Sequence, residues 1–90
     1  MEKPTAVSIL REIMKNQKNE KSLCNRFKKT RDVIKKTFIT RMIFDNSFKR
    51  QDLIDKFQSE FEDLNDVLIY TLENGVMPES VRDLMRQGKI

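Results

Sequence analysis

Leu53-Ile54-Asp55-Lys56-Phe57-Gln58-Ser59-Glu60-Phe61-Glu62-Asp63-Leu64 is the stretch that decides the fold. Its apolar members Leu53, Ile54, Phe57, Phe61 and Leu64 recur every three or four residues, and Leu68 and Leu72 extend the series. That period lines one stripe of an α-helix and cannot line one face of a strand. The spacing predicts a long helix over residues 48–74. Asn46 or Ser47 is placed to cap its start, and Gly75 to end it in the left-handed conformation.

Upstream, Ala6, Ile9, Leu10, Ile13 and Met14 keep the same spacing and predict a helix over residues 5–17, with Pro4 suited to a first turn. The polar run Asn16-Gln17-Lys18-Asn19-Glu20-Lys21 reads as a turn. Leu23, Phe27, Ile34 and Phe38 then share a narrow arc of a helix over residues 22–44, with Lys21, Lys28, Lys29, Lys35 and Lys36 on its far side. Downstream, Pro78-Glu79-Ser80 opens a short helix over residues 79–87 that carries Val81, Leu84 and Met85 on one side and stops near Gly88. The expectation is an all-α fold: residues 1–90 as a single domain, an elongated antiparallel three-helix bundle with a short fourth C-terminal helix. Such a bundle has a thin core, close to the margin of independent stability for ninety residues without disulfide or metal.

The inventory of side chains narrows the chemistry. There is no His, no Trp and one cysteine, Cys24. A zinc finger, a disulfide framework and any nucleophile that leans on a histidine are excluded. The glycines are Gly75 and Gly88, so there is no Gly-rich phosphate loop. The acid pairs Asp52 with Asp55 and Glu60 with Asp63 lie one turn apart, but they read as solvated helix surface. No catalytic or metal-ligating set is expected, and no enzymatic activity. No run reaches 18 apolar residues, so a membrane span and a secretory leader are not expected, and an intracellular location is.

Charge is unevenly spread. Residues 1–50 hold 14 Lys or Arg against 5 Asp or Glu, and residues 51–90 hold 4 against 9, giving +9 and −5 within a net +4. The first part is suited to anionic partners. Near the end of the second helix Phe38, Ile39, Met42, Ile43 and Phe44 surround the axis, and they cannot all face one core. They form an expected apolar tip for another macromolecule, beside a basic face that includes Lys28, Lys35 and Lys36.

The segment Ala6-Val7-Ser8-Ile9-Leu10-Arg11-Glu12-Ile13-Met14 resembles the opening helix of the LYR-motif proteins, small helical mitochondrial adaptors. Ile9-Leu10-Arg11 stands where leucine, tyrosine and arginine would be, and the arginine is retained. Ile34-Lys35-Lys36-Thr37-Phe38 is similar to that family's basic second helix. The resemblance implies a mitochondrial assembly factor or accessory subunit that docks acyl carrier protein, with Arg11, Lys35 and Lys36 meeting the acidic carrier and Phe38 placed for the apolar interior. It implies no directly bound cofactor beyond an acylated phosphopantetheine arm supplied by the carrier. Two other functions fit the size and charge. One is a small basic nucleic-acid-binding protein, opposed by Phe27 and Phe38 lying on the core-facing arc, where they offer bases no stacking platform. The other is a phage or bacterial inhibitor of a host protein.

Overall fold

The structure, a computed structural model, describes residues 5–86. The expected Pro4, Gln87 and Gly88 contributions lie outside the described residues, as do the side chains of Leu84 and Met85. The chain is all-α: α1 spans Ala6–Lys29, α2 Val33–Glu60, α3 Asn65–Asn74 and α4 Glu79–Arg86, with one 3₁₀ turn at Glu62–Leu64. The all-α class thus holds, but the chain breaks its helices at different places from those the sequence pattern suggests.

The polar run after Lys15 is not a turn, and α1 passes straight through it. It contains neither Gly nor Pro, and its Lys, Gln and Glu residues are good helix formers. Its Asn16 is buried against α2, donating from Nδ2 to the carbonyl oxygen of Asn46 at 2.9 Å, and Asn46 Nδ2 donates back to the Asn16 carbonyl at 3.0 Å. This reciprocal pair also explains why Asp45-Asn46-Ser47 is no break. The Asn46 amide spends its hydrogen bonds on α1 rather than on its own backbone, so α2 runs on without interruption.

The helix expected over residues 22–44 is divided instead at Thr30-Arg31-Asp32. Thr30 leaves helical geometry at φ −87°, ψ 131°, and its hydroxyl donates to the Arg26 carbonyl at 2.7 Å. Asp32 starts α2: its Oδ1 accepts from the Ile34 N–H at 2.9 Å and more weakly from that of Lys35 at 3.4 Å. With a three-residue connection, α1 and α2 pack along each other as an antiparallel hairpin. The helix expected over residues 48–74 is interrupted at Phe61, whose φ of −132° and ψ of 53° turn the chain. Phe61 stacks at a tilt on Phe57, ring centroids 5.4 Å apart, and this packing holds the corner. Gly75 ends α3 in the left-handed region at φ 73°, its N–H bonded to the Thr71 carbonyl at 2.9 Å.

The core gathers at one end of the hairpin. Val7, Ile9, Leu10 and Ile13 of α1 meet Phe57 of α2, Leu68 of α3, Met77 and Val81, with Leu53, Ile54, Val67 and Leu72 packed around them. Gln17 Nε2 ties α1 to α3 by donating to the Leu72 carbonyl at 3.0 Å. The opposite end is a bare arm of two helices, the later part of α1 and the first half of α2. Its buried apolar residues are Leu23 and Ile39, and neither belongs to the core cluster. The molecule is accordingly long, 49 × 24 × 24 Å.

Candidate interaction surface

The arm carries both features that the sequence assigned to binding, but in a different arrangement. Because Asp32 starts a new helix, the apolar residues after it no longer continue the arc of Leu23 and Phe27. At 100° per residue, Ile39, Asn46 and Phe57 of α2 point to α1, while Ile34 and Phe48 point the opposite way and Phe38 points to the side. Exposure follows: Val33 is 75% exposed, Ile34 69%, Phe38 59%, Met42 40%, Phe44 60% and Phe48 70%. These six residues spread over about 22 Å of helix at 1.5 Å per residue.

Of the five residues expected at the apolar tip, Phe38, Met42 and Phe44 are therefore on the surface. Ile39 is 4% exposed and Ile43 half-buried, so both leave the expected set for the α1–α2 contact. Their place is taken by Val33, Ile34 and Phe48. The missed signal was the Thr30-Arg31-Asp32 break, which shifts the phase of everything after it. The same shift removes the objection to base stacking as far as Phe38 is concerned. Phe38 does not face the core, whereas Phe27 is half-buried beneath Lys36, whose Nζ lies 5.1 Å from its ring centroid.

The arm that carries this face is strongly basic. Residues 18–45 hold nine Lys or Arg against three Asp or Glu, a balance of +6, leaving −2 on the rest of the chain. Lys28 and Lys35 are exposed on either side of the hairpin turn, and Lys36 is half-buried by its contact with Phe27. On α1, Lys18, Lys21, Ser22, Asn25, Arg26 and Lys29 line a shallow surface cleft of about 420 Å³. Arg11 does not join this set. It is exposed on α1 at the core end, about 25 Å from Lys28 along the helix axis.

A polar layer separates the two ends. Asn16 and Asn46 are joined by Asn19, whose Nδ2 donates to Asn46 Oδ1 at 3.1 Å. Arg50 joins through Nη1, 3.3 Å from Asn16 Oδ1 and 2.8 Å from Glu20 Oε2. Sequence reasoning missed this network, because nothing in a run of asparagines declares which of them will face another helix. It fixes how α1 and α2 slide along each other, as buried asparagines do in coiled coils.

Among the described residues no helix is long and apolar enough to cross a membrane, and no group of three or more His, Cys, Asp or Glu is placed to hold a metal ion. The arrangement offers contact area and positive potential. No family model, curated protein or solved structure matches this chain.

Proposed function

We propose that the protein is a non-catalytic adaptor or accessory subunit of a larger complex, and that its basic arm docks an acidic partner. The observation that carries this reading is the charge of the arm, +6 over residues 18–45, and the uncovered face of α2 adds apolar area on the same arm. Three phenylalanines there present on the order of 400 Å² of apolar surface before Val33, Ile34 and Met42 are added, which already rivals the largest patch on a typical monomer. The balance of +6 on the arm selects for a negatively charged macromolecule. Lys28, Lys35 and the α1 cleft residues are the contacts proposed for its acids. The LYR-motif resemblance supplies one concrete acidic partner, acyl carrier protein, and with it a mitochondrial setting.

Titration of the protein with purified acyl carrier protein tests this partner. Reversal of the exposed pair, Lys28→Glu with Lys35→Glu, is expected to weaken binding at least tenfold with helical circular dichroism unchanged. Undiminished binding by that variant would refute the basic arm as the docking surface. A second reading, a small nucleic-acid-binding protein, is favoured by one specific observation: Phe38, Phe44 and Phe48 stand exposed close to Arg41 and Lys49. Aromatic faces beside cations can stack bases while the cations meet phosphate. A gel shift with mixed single-stranded DNA or RNA, retardation falling steeply with salt, is its expected signature.

A further inference from the structure

The outward face of α2 has a repeat of its own. Ile34, Phe38, Arg41, Asp45, Phe48 and Asp52 follow one another at spacings of four, three, four, three and four, and all six are exposed. That is the period of a coiled-coil seam, drawn on the side of α2 that points away from α1. The central part of this seam is self-complementary under reversal, while its ends, Ile34 and Asp52, do not match. About a centre level with position 43, Phe38 mirrors Phe48, Arg41 mirrors Asp45 and Met42 mirrors Phe44.

We propose that this face is the seam of an antiparallel homodimer, in which α2 of a second copy packs on α2 around a two-fold axis level with Ile43. In this register Phe38 meets Phe48 of the second copy, and Arg41 meets its Asp45, each contact occurring twice by symmetry. The residues flanking the seam meet their own counterparts, Met42 with Met42 on one side and Phe44 with Phe44 on the other. The two ion pairs are thus enclosed by apolar side chains. Within the single chain, Arg41 and Asp45 form no ion pair. The ion pairs among the described residues are Glu20–Arg50 and Asp83–Arg86. In this dimer the charged pair in the middle of the exposed apolar face is what selects the antiparallel register.

Charge complementarity therefore favours a second copy over an unrelated helix as the occupant. The second half of α2 does not obstruct it, because Asp52, Asp55, Lys56 and Ser59 on the same face are exposed. The proposal stands on the seam pattern, independently of the acidic-partner reading. The dimer would cover the apolar face and leave the α1 cleft open to an acidic partner.

Sedimentation equilibrium of the full chain over a range of concentrations tests it. The expected species is a dimer of twice the 10.7 kDa chain mass. Arg41→Asp and Asp45→Arg should each raise the dissociation constant at least tenfold, by setting like charges opposite one another. The double swap, Arg41→Asp with Asp45→Arg, should restore association to near that of the natural sequence. Both positions are exposed, so circular dichroism should remain helical throughout. Persistence of the monomer at all concentrations, indifference to the single reversals, or a double swap that fails to restore association would each overturn the proposal. A monomer that still binds acyl carrier protein would overturn the seam and leave the adaptor reading intact, and a charge-swappable dimer that binds no acidic partner would do the reverse.

Discussion

Phe57 and Phe48 lie on the same helix, yet Phe57 is fully enclosed by α1, α3 and the residues around Met77, while Phe48 is largely in water. The contrast extends to the whole molecule. At the core end four helices share one apolar cluster, so each helix hides its stripe against two or more others. In the arm, α1 and α2 have only each other. A helix pair can cover one face of each member, so the second apolar face of α2 stays uncovered. Fold and binding surface are thus segregated along the long axis, with the polar layer of Asn16, Asn46 and Arg50 between them.

If that division is correct, substitutions of one residue type should have opposite consequences at the two ends. The largest expected effect on stability is Phe57→Ala, which removes the central core side chain at a cost of about 3–5 kcal/mol, a large part of the roughly 5–15 kcal/mol of a typical domain. Thermal denaturation followed at 222 nm would show it as a collapse or loss of the transition. Phe48→Ser should change stability by less than about 0.5 kcal/mol, as surface substitutions do, while weakening association. Equal destabilisation by the two variants would abolish the distinction between the ends.

The polar layer comes next. Asn46→Leu takes the Nδ2 donor from the Asn16 carbonyl and Oδ1 and the Oδ1 acceptor from Asn19, leaving the bond from Asn16 Nδ2 to the main-chain carbonyl at position 46, and should cost about 1–3 kcal/mol in urea denaturation. Asp32→Ala removes the cap that separates the two helices of the arm. Its expected cost is about 1 kcal/mol, with the loss of amide protection confined to the first turn of α2. Smallest is Gln17→Met. It removes the bond to the Leu72 carbonyl but also a buried Oε1 that has no hydrogen-bond partner, so the two changes should nearly offset, leaving about 0.5 kcal/mol or less.

Much of the core end was legible in the sequence, because Ile9, Leu10, Ile13, Phe57 and Leu68 keep helical spacing regardless of where the helices break, and Gly75 marks the end of α3 by its lack of a side chain. The breaks were less legible. Asn16 to Lys21 and Asp45 to Ser47 look like turns locally, and a pairing across thirty residues of chain keeps both helical. Thr30 and Asp32 looked like helix because Phe27, Ile34 and Phe38 happen to stay in phase across the gap. Phe61 gave no local sign at all, since its corner depends on stacking against Phe57. For the surface, composition identified the basic, apolar arm, but the phase shift at Asp32 decided which side chains face out, and that exchanged Ile39 and Ile43 for Val33, Ile34 and Phe48.

The central claim is that the arm is held by much less than the core end until something covers it. Residue-resolved amide hydrogen exchange of the dilute, isolated protein measures this directly. Amides around Ile13, Phe57 and Leu68 should exchange only through global unfolding, while those from Ile34 to Phe44 exchange through local opening at least a hundredfold faster and gain protection when the arm is covered. Uniform protection along α2, unchanged by concentration or by an acidic partner, would contradict the account.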